Sequence, residues 1–98
     1  MGKLERDFQA ALIRELKETF PHCIVVKTNP NYIQGFPDLL VLYRDRWAAL
    51  ECKKNVNAAK RPNQLYYVKR LDGMSFSRFI YPENKEEVLD DLHEAFGA

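Results

Sequence analysis

Asp38, Glu51 and Lys53 are the residues of this chain whose types and spacing could do chemistry together. Asp38 closes the run Gly35-Phe36-Pro37-Asp38, and Glu51-Cys52-Lys53 follows it after twelve intervening residues. Both pieces adjoin apolar runs that read as strands, so alternation puts Glu51 and Lys53 on one face and Cys52 on the other. The turn between the strands decides whether Asp38 joins them. Closure with Arg44 opposite Trp47, or Tyr43 opposite Ala48, sets Asp38 opposite Lys53, and the three side chains converge. A three-residue loop without a bulge sets Asp38 opposite Cys52 and scatters them, because a slip of one residue reverses every side chain.

Leu39–Leu42 and Trp47–Leu50 are nearly continuous apolar runs, the pattern of strands covered on both faces. Two carboxylates and an ammonium embedded there are costly unless something compensates the charges. A hard divalent cation does so: Mg²⁺ takes one or two carboxylates and keeps several waters. Water bound to such an ion has a lowered pKa and can attack a phosphodiester. Lys53 would orient or help deprotonate that water and hold phosphate oxygens. The backbone carbonyl of Cys52, on the strand edge between the two side chains, is a natural extra ligand. The plainer alternative is an ordinary surface ion pair between Asp38 and the Glu-x-Lys strand.

The elements that must position these residues follow from periodicity and punctuation. Leu4, Phe8, Leu12, Leu16 and Phe20, with Ala11 in the same stripe, predict an amphipathic helix over 3–20, stopped by Pro21. Cys23–Val26 reads as a strand, and Thr28–Pro37, rich in Asn, Pro and Gly, as a loop. Two strands, 38–43 and 47–53, join at Arg44-Asp45-Arg46. Arg61 or Pro62 opens a second helix running to about Leu71, with Gly73 as its stop. Residues 74–81 alternate like a strand. Asn84 and Glu87 form a capping-box pattern at the start of a last helix, whose stripe is Val88, Leu89, Leu92 and Phe96. The order α-β-β-β-α-β-α predicts one α/β domain over 1–98, a mixed sheet flanked by helices.

The net charge of +1 conceals an asymmetry. Residues 53–70 carry Lys53, Lys54, Lys60, Arg61, Lys69 and Arg70 and no acid, whereas residues 83–98 carry six acids against Lys85. A local field of this sign holds a polyanion even when the total is near neutral. Lys54, Lys60, Arg61, Lys69 and Arg70 are therefore candidate phosphate contacts. Gln64 and Tyr67, at i and i+3, are candidates to reach the scissile strand or a base edge, while Tyr66 is expected to pack beside Leu65 or Val68. The alternative for the basic run is a solvated helix face. Tyr32 and Gln34 either touch substrate from the loop or simply cover the sheet. Cys23 and Cys52 lack metal or disulfide spacing, and His22 and His93 stand alone, so all four read as structural. No run approaches the roughly 18 apolar residues of a membrane span. The charged opening MGKLERDFQ does not resemble a secretory leader, so reduced thiols and a cytoplasmic location are expected.

Gly35-x-Pro37-Asp38 followed by Glu51-x-Lys53 resembles the core signature of the PD-(D/E)XK nuclease superfamily in its Glu variant. The VRR-NUC-type and phage Holliday-junction-resolvase-like enzymes are the branch it looks most like. Glu5-x-x-Phe8-Gln9 resembles the branch's acidic first-helix pattern, and Gln64-Leu65-Tyr66-Tyr67 its Q-x-x-Y motif. The resemblance spans residues 5 to about 71 and implies a restriction-endonuclease-like core. It implies that Asp38 and Glu51 ligate Mg²⁺, with Mn²⁺ as a substitute, and that Lys53 is the catalytic base or positions the water. Glu5 would act in the outer shell or on a second metal; a solvated acid in the first helical turn is the alternative. The activity implied is hydrolysis of DNA, more as an endonuclease on branched or structured DNA than as an exonuclease. By family habit such an enzyme is phage-encoded and works in the host cytoplasm. A homodimer is one way to cut two strands symmetrically. The rival from another class is a non-catalytic nucleic-acid-binding subunit that keeps the same fold.

Overall fold

The four-residue apolar spacing at the amino-terminal end forms helix α1 (Lys3–Thr19), and Leu12, Leu16 and Phe20 from this stretch are fully buried. A computed structural model describes residues 3–98, continuing through β1 (Ile24–Lys27), β2 (Leu39–Tyr43), β3 (Arg46–Cys52), α2 (Pro62–Met74), β4 (Ser77–Ile80) and α3 (Lys85–Phe96). The element order is the one expected. Among the described residues the sheet runs β1-β2-β3-β4; its first two pairings are antiparallel and the last is parallel, with α2 as the crossover.

Strand alternation divides the sheet into two faces. Leu39, Val41, Tyr43, Ala48, Leu50, Cys52 and Ile80 share a core with α1 and α3, closed by Val88, Leu89, Leu92 and Phe96. Phe20 lies at its centre, edge-on to Tyr43 and Phe96 with ring centroids 5.5 and 5.2 Å away. The opposite face carries Leu40, Ala49, Glu51, Ser77 and Phe79, and α2 packs on its β3–β4 half. Ala49 and Ser77 are small enough to let that helix approach, and the Ser77 hydroxyl is satisfied by donating to the Ala49 carbonyl at 2.8 Å. The β1–β2 half of this face leaves Ile24, Val26 and Leu42 exposed.

Several local expectations are corrected. Leu4 and Ala11 are exposed, so the buried stripe of α1 is narrower than the sequence pattern. β1 begins at Ile24 and β4 at Ser77, each later than expected. Gly73 does not stop α2, which runs one residue beyond it; the stop follows at Ser75, whose N–H bonds the Leu71 carbonyl at 2.9 Å. Asp72 then accepts from the Ser77 N–H and from Arg78, fixing where β4 starts. Asn84 precedes α3, but its side chain does not cap it. Its amide accepts from the Tyr81 N–H and donates to the Phe79 carbonyl instead.

Replacing Phe20 by alanine removes the ring on which both helices of this core converge, and the expected cost is about 3–5 kcal/mol. Urea unfolding followed by circular dichroism measures it.

Candidate active site

The β2–β3 ladder places the carboxylates. Its pairs run from Tyr43 opposite Arg46 to Leu39 opposite Leu50, so the turn is only Arg44-Asp45, with Arg44 in the left-handed region at φ 56°. Two-residue hairpin turns require such a conformation, and the absence of Gly or Asn hid this one. One step beyond the ladder, Asp38 falls opposite Glu51 rather than opposite Lys53. The register is therefore shifted by two residues from the expected one. Because the shift is even, the facing of every side chain survives, and Asp38, Glu51 and Lys53 share the face that α2 covers.

Asp38 stands just outside β2 and continues the ladder with its side chain. Its Oδ2 accepts from the Cys52 N–H at 2.9 Å. The preceding loop is tied at both ends, since Thr28 donates from its N–H to the Asp38 carbonyl at 2.9 Å and from its hydroxyl to the Pro37 carbonyl at 2.6 Å. Gly35 has φ 87°, and a Cβ there would lie 2.4 Å from the Asn63 side chain. Only glycine lets this loop pass so close to the first turn of α2. Loop and helix start together line an open cleft of about 440 Å³, with Gln34, Phe36, Asp38, Glu51, Arg61 and Gln64 on its walls.

Glu51 and Lys53 are buried, at 4% and 8% exposure. Burial is the main cause that pushes the Glu51 carboxyl up to about 9, reinforced by the charge of Asp38 and a hydrogen bond with it; Lys53 opposes the shift and Glu5 adds to it. Glu51 therefore keeps its proton at neutral pH. Lys53 Nζ donates to Gln64 Oε1 at 2.8 Å, the same oxygen accepts from the Arg61 N–H at 3.0 Å, and Gln64 Nε2 faces Glu51 Oε2 at 3.4 Å. Gln64 therefore joins α2 to both Glu51 and Lys53. Its amide is engaged inside the protein, where the sequence pointed it toward substrate.

The remaining candidates divide. Glu5 is half-buried and its charge acts on both Glu51 and Cys52, so it belongs to the site's electrostatics. Cys52 is fully buried on the opposite face. Burial raises its thiol, as does the charge of Asp38, and it is hydrogen-bonded with the buried Gln9 of the Glu5-x-x-Phe8-Gln9 pattern. In an extended strand the N–H and C=O of one residue share an edge. The Cys52 carbonyl thus lies on the Asp38 side. Arg61 lines the cleft, and Tyr67 packs on Phe36 with centroids 5.7 Å apart. Lys60 sits over the Phe79 and Tyr81 rings, at 5.0 and 5.7 Å. Lys54, Lys69 and Arg70 are exposed, and Lys69, two residues beyond Tyr67, falls on the other side of α2.

Among the described residues no three His, Cys, Asp or Glu side chains gather into a metal cage. Mg²⁺ does not need one, because two hard carboxylates opening on a solvent-filled cleft are a sufficient protein contribution. Two carboxyls on one cleft wall have the hard oxygen donors a divalent cation requires. Neither protein-family models nor curated proteins match the chain, so its functional reading rests on this geometry.

The raised Glu51 carboxyl has a consequence for stability. Between about pH 4.5 and 9 the folded protein keeps a proton that the unfolded chain has lost. Stability therefore falls as pH rises through that window, by up to about 1.4 kcal/mol per unit. Glu51→Gln should remove this slope, with its largest gain near pH 9 and none at pH 4. Melting temperatures in EDTA across that range check it.

Proposed function

We propose that the chain is a divalent-metal-dependent nuclease of the PD-(D/E)XK type, hydrolysing DNA phosphodiester bonds as an endonuclease on branched or structured DNA. The observation that carries this reading is that Asp38 and Glu51 share one sheet face and line an open cleft, with the buried Lys53 joined to Glu51 through Gln64. Asp38 and Glu51 would hold Mg²⁺ or Mn²⁺, with the Cys52 carbonyl as a further oxygen and Glu5 in the outer shell. A cation bound there supplies charge neutralisation and makes water acidic enough to attack at neutral pH.

The chain's own residues supply the rest. Glu51 would release its proton to solvent when the cation binds, so that its carboxylate could hold the ion beside Asp38. Lys53 would hold a phosphate oxygen and orient the attacking water with its ammonium, and Gln64 fixes where that ammonium points. Arg61 lies at the cleft wall, where a phosphate backbone would pass. Gly35 lets the loop lie against the first turn of α2, where the two together wall the cleft. No helix among the described residues is long and apolar enough to cross a membrane. A homodimer and a phage origin remain part of the proposal.

Asp38→Ala, Glu51→Ala and Lys53→Ala should each lower cleavage at least about 100-fold while the fold persists. Gln64→Ala should lower kcat roughly 10–100-fold with little change in KM, since it acts through Lys53. The assay uses labelled four-way junction, flap, duplex and single-stranded DNA with Mg²⁺, Mn²⁺ or EDTA. Full activity of Glu51→Ala contradicts the reading, and binding without cutting in either metal transfers it to a non-catalytic scaffold.

A further inference from the structure

The exposed face of α2 carries an aromatic track that leaves the cleft. Phe36 stands in the cleft wall, Tyr67 packs against it at 5.7 Å, and Tyr66 meets Tyr67 edge-on at 5.1 Å. Tyr66 was expected to pack beside Leu65 or Val68; instead it is 56% exposed. Helical spacing places it one turn beyond Pro62, which lines the cleft, and one turn before Arg70, which is exposed. Pro62, Tyr66 and Arg70 thus form a stripe about 12 Å long running away from the carboxylates.

A ring left in water beside cations is the arrangement that grips single-stranded nucleic acid. The cations hold the backbone, and the ring stacks on a base whatever its identity. A base inside a duplex is already stacked on its neighbours and cannot reach a ring on a convex helix. The charge around the stripe agrees, since residues 53–70 contain no acid.

We infer that the Tyr66 stripe of α2 is a binding track for an unpaired nucleic-acid strand, which it guides to the Asp38–Glu51 cleft. The inference rests on the nuclease reading for its direction, but it makes a separate demand. Substrates must offer a few unpaired nucleotides beside the cleft, and a fully paired duplex must bind by its phosphates alone.

The test is fluorescence anisotropy in EDTA, where nothing is cut, with labelled oligo-dT and a blunt duplex of equal length. The full chain is compared with Tyr66→Ala, Tyr66→Phe and Arg70→Ala, each checked by circular dichroism. Tyr66→Ala should weaken oligo-dT binding roughly tenfold and leave the duplex within about twofold. Tyr66→Phe should keep the affinity, because the ring face and not the hydroxyl stacks. Arg70→Ala should weaken both ligands and flatten their salt dependence. Unchanged oligo-dT binding by Tyr66→Ala, or an equal loss on both ligands, overturns the track. Metal-dependent cleavage assayed beside Glu51→Ala separates the two readings: cleavage without a Tyr66 effect removes only the track, and the Tyr66 effect without cleavage removes only the nuclease.

Discussion

Two carboxyl groups brought together in a protein repel as anions, and burial adds to the cost of charging them. The β2–β3 ladder imposes that proximity on Asp38 and Glu51, and the surrounding features serve it. The short Arg44-Asp45 turn sets the register, and the Cys52 N–H fixes one Asp38 oxygen. The Thr28 bonds close the loop that delivers Asp38, while Gly35 lets that loop lie against α2. A fold that only needed stability would gain by replacing this pair with apolar residues.

Gln64 connects that constraint to the rest of the molecule. One amide reaches Lys53, the Arg61 backbone and Glu51, so the start of α2 and the end of β3 are positioned together. Lys53 is buried without an acid inside ion-pair distance among the described residues, and this amide is its hydrogen-bond partner. Lys53 is held by this neutral amide rather than by a carboxylate, so its position is tied to the start of α2. Lys60, by contrast, lies over Phe79 and Tyr81, which gives part of the basic segment a packing role.

The element order was legible because periodicity and punctuation are local. Apolar residues four apart formed α1, Pro62 opened α2, and Val88, Leu89, Leu92 and Phe96 closed the core as their spacing implied. The convergence of Asp38, Glu51 and Lys53 was legible for a subtler reason: it depends only on whether the register is odd or even, and an error of two residues left it intact. The register itself was hidden, because Arg44 adopts a left-handed conformation that nothing in its side chain announces. The roles of Gln64 and Tyr66 were hidden too, since they depend on how α2 is rotated on the sheet. Asn84 looked like a cap and became a loop clamp, because the Tyr81 and Phe79 backbone groups were closer partners for its amide.

The central claim is that Glu51 exchanges its proton for a divalent cation held together with Asp38. Calorimetric titration of Mn²⁺ into the metal-free protein, repeated in buffers of different ionisation enthalpy, tests it directly. The account predicts saturable binding that releases about one proton near pH 7 and tightens as pH rises, with both effects gone in Glu51→Gln. Binding that releases no proton, or that survives Glu51→Gln unchanged, would contradict it.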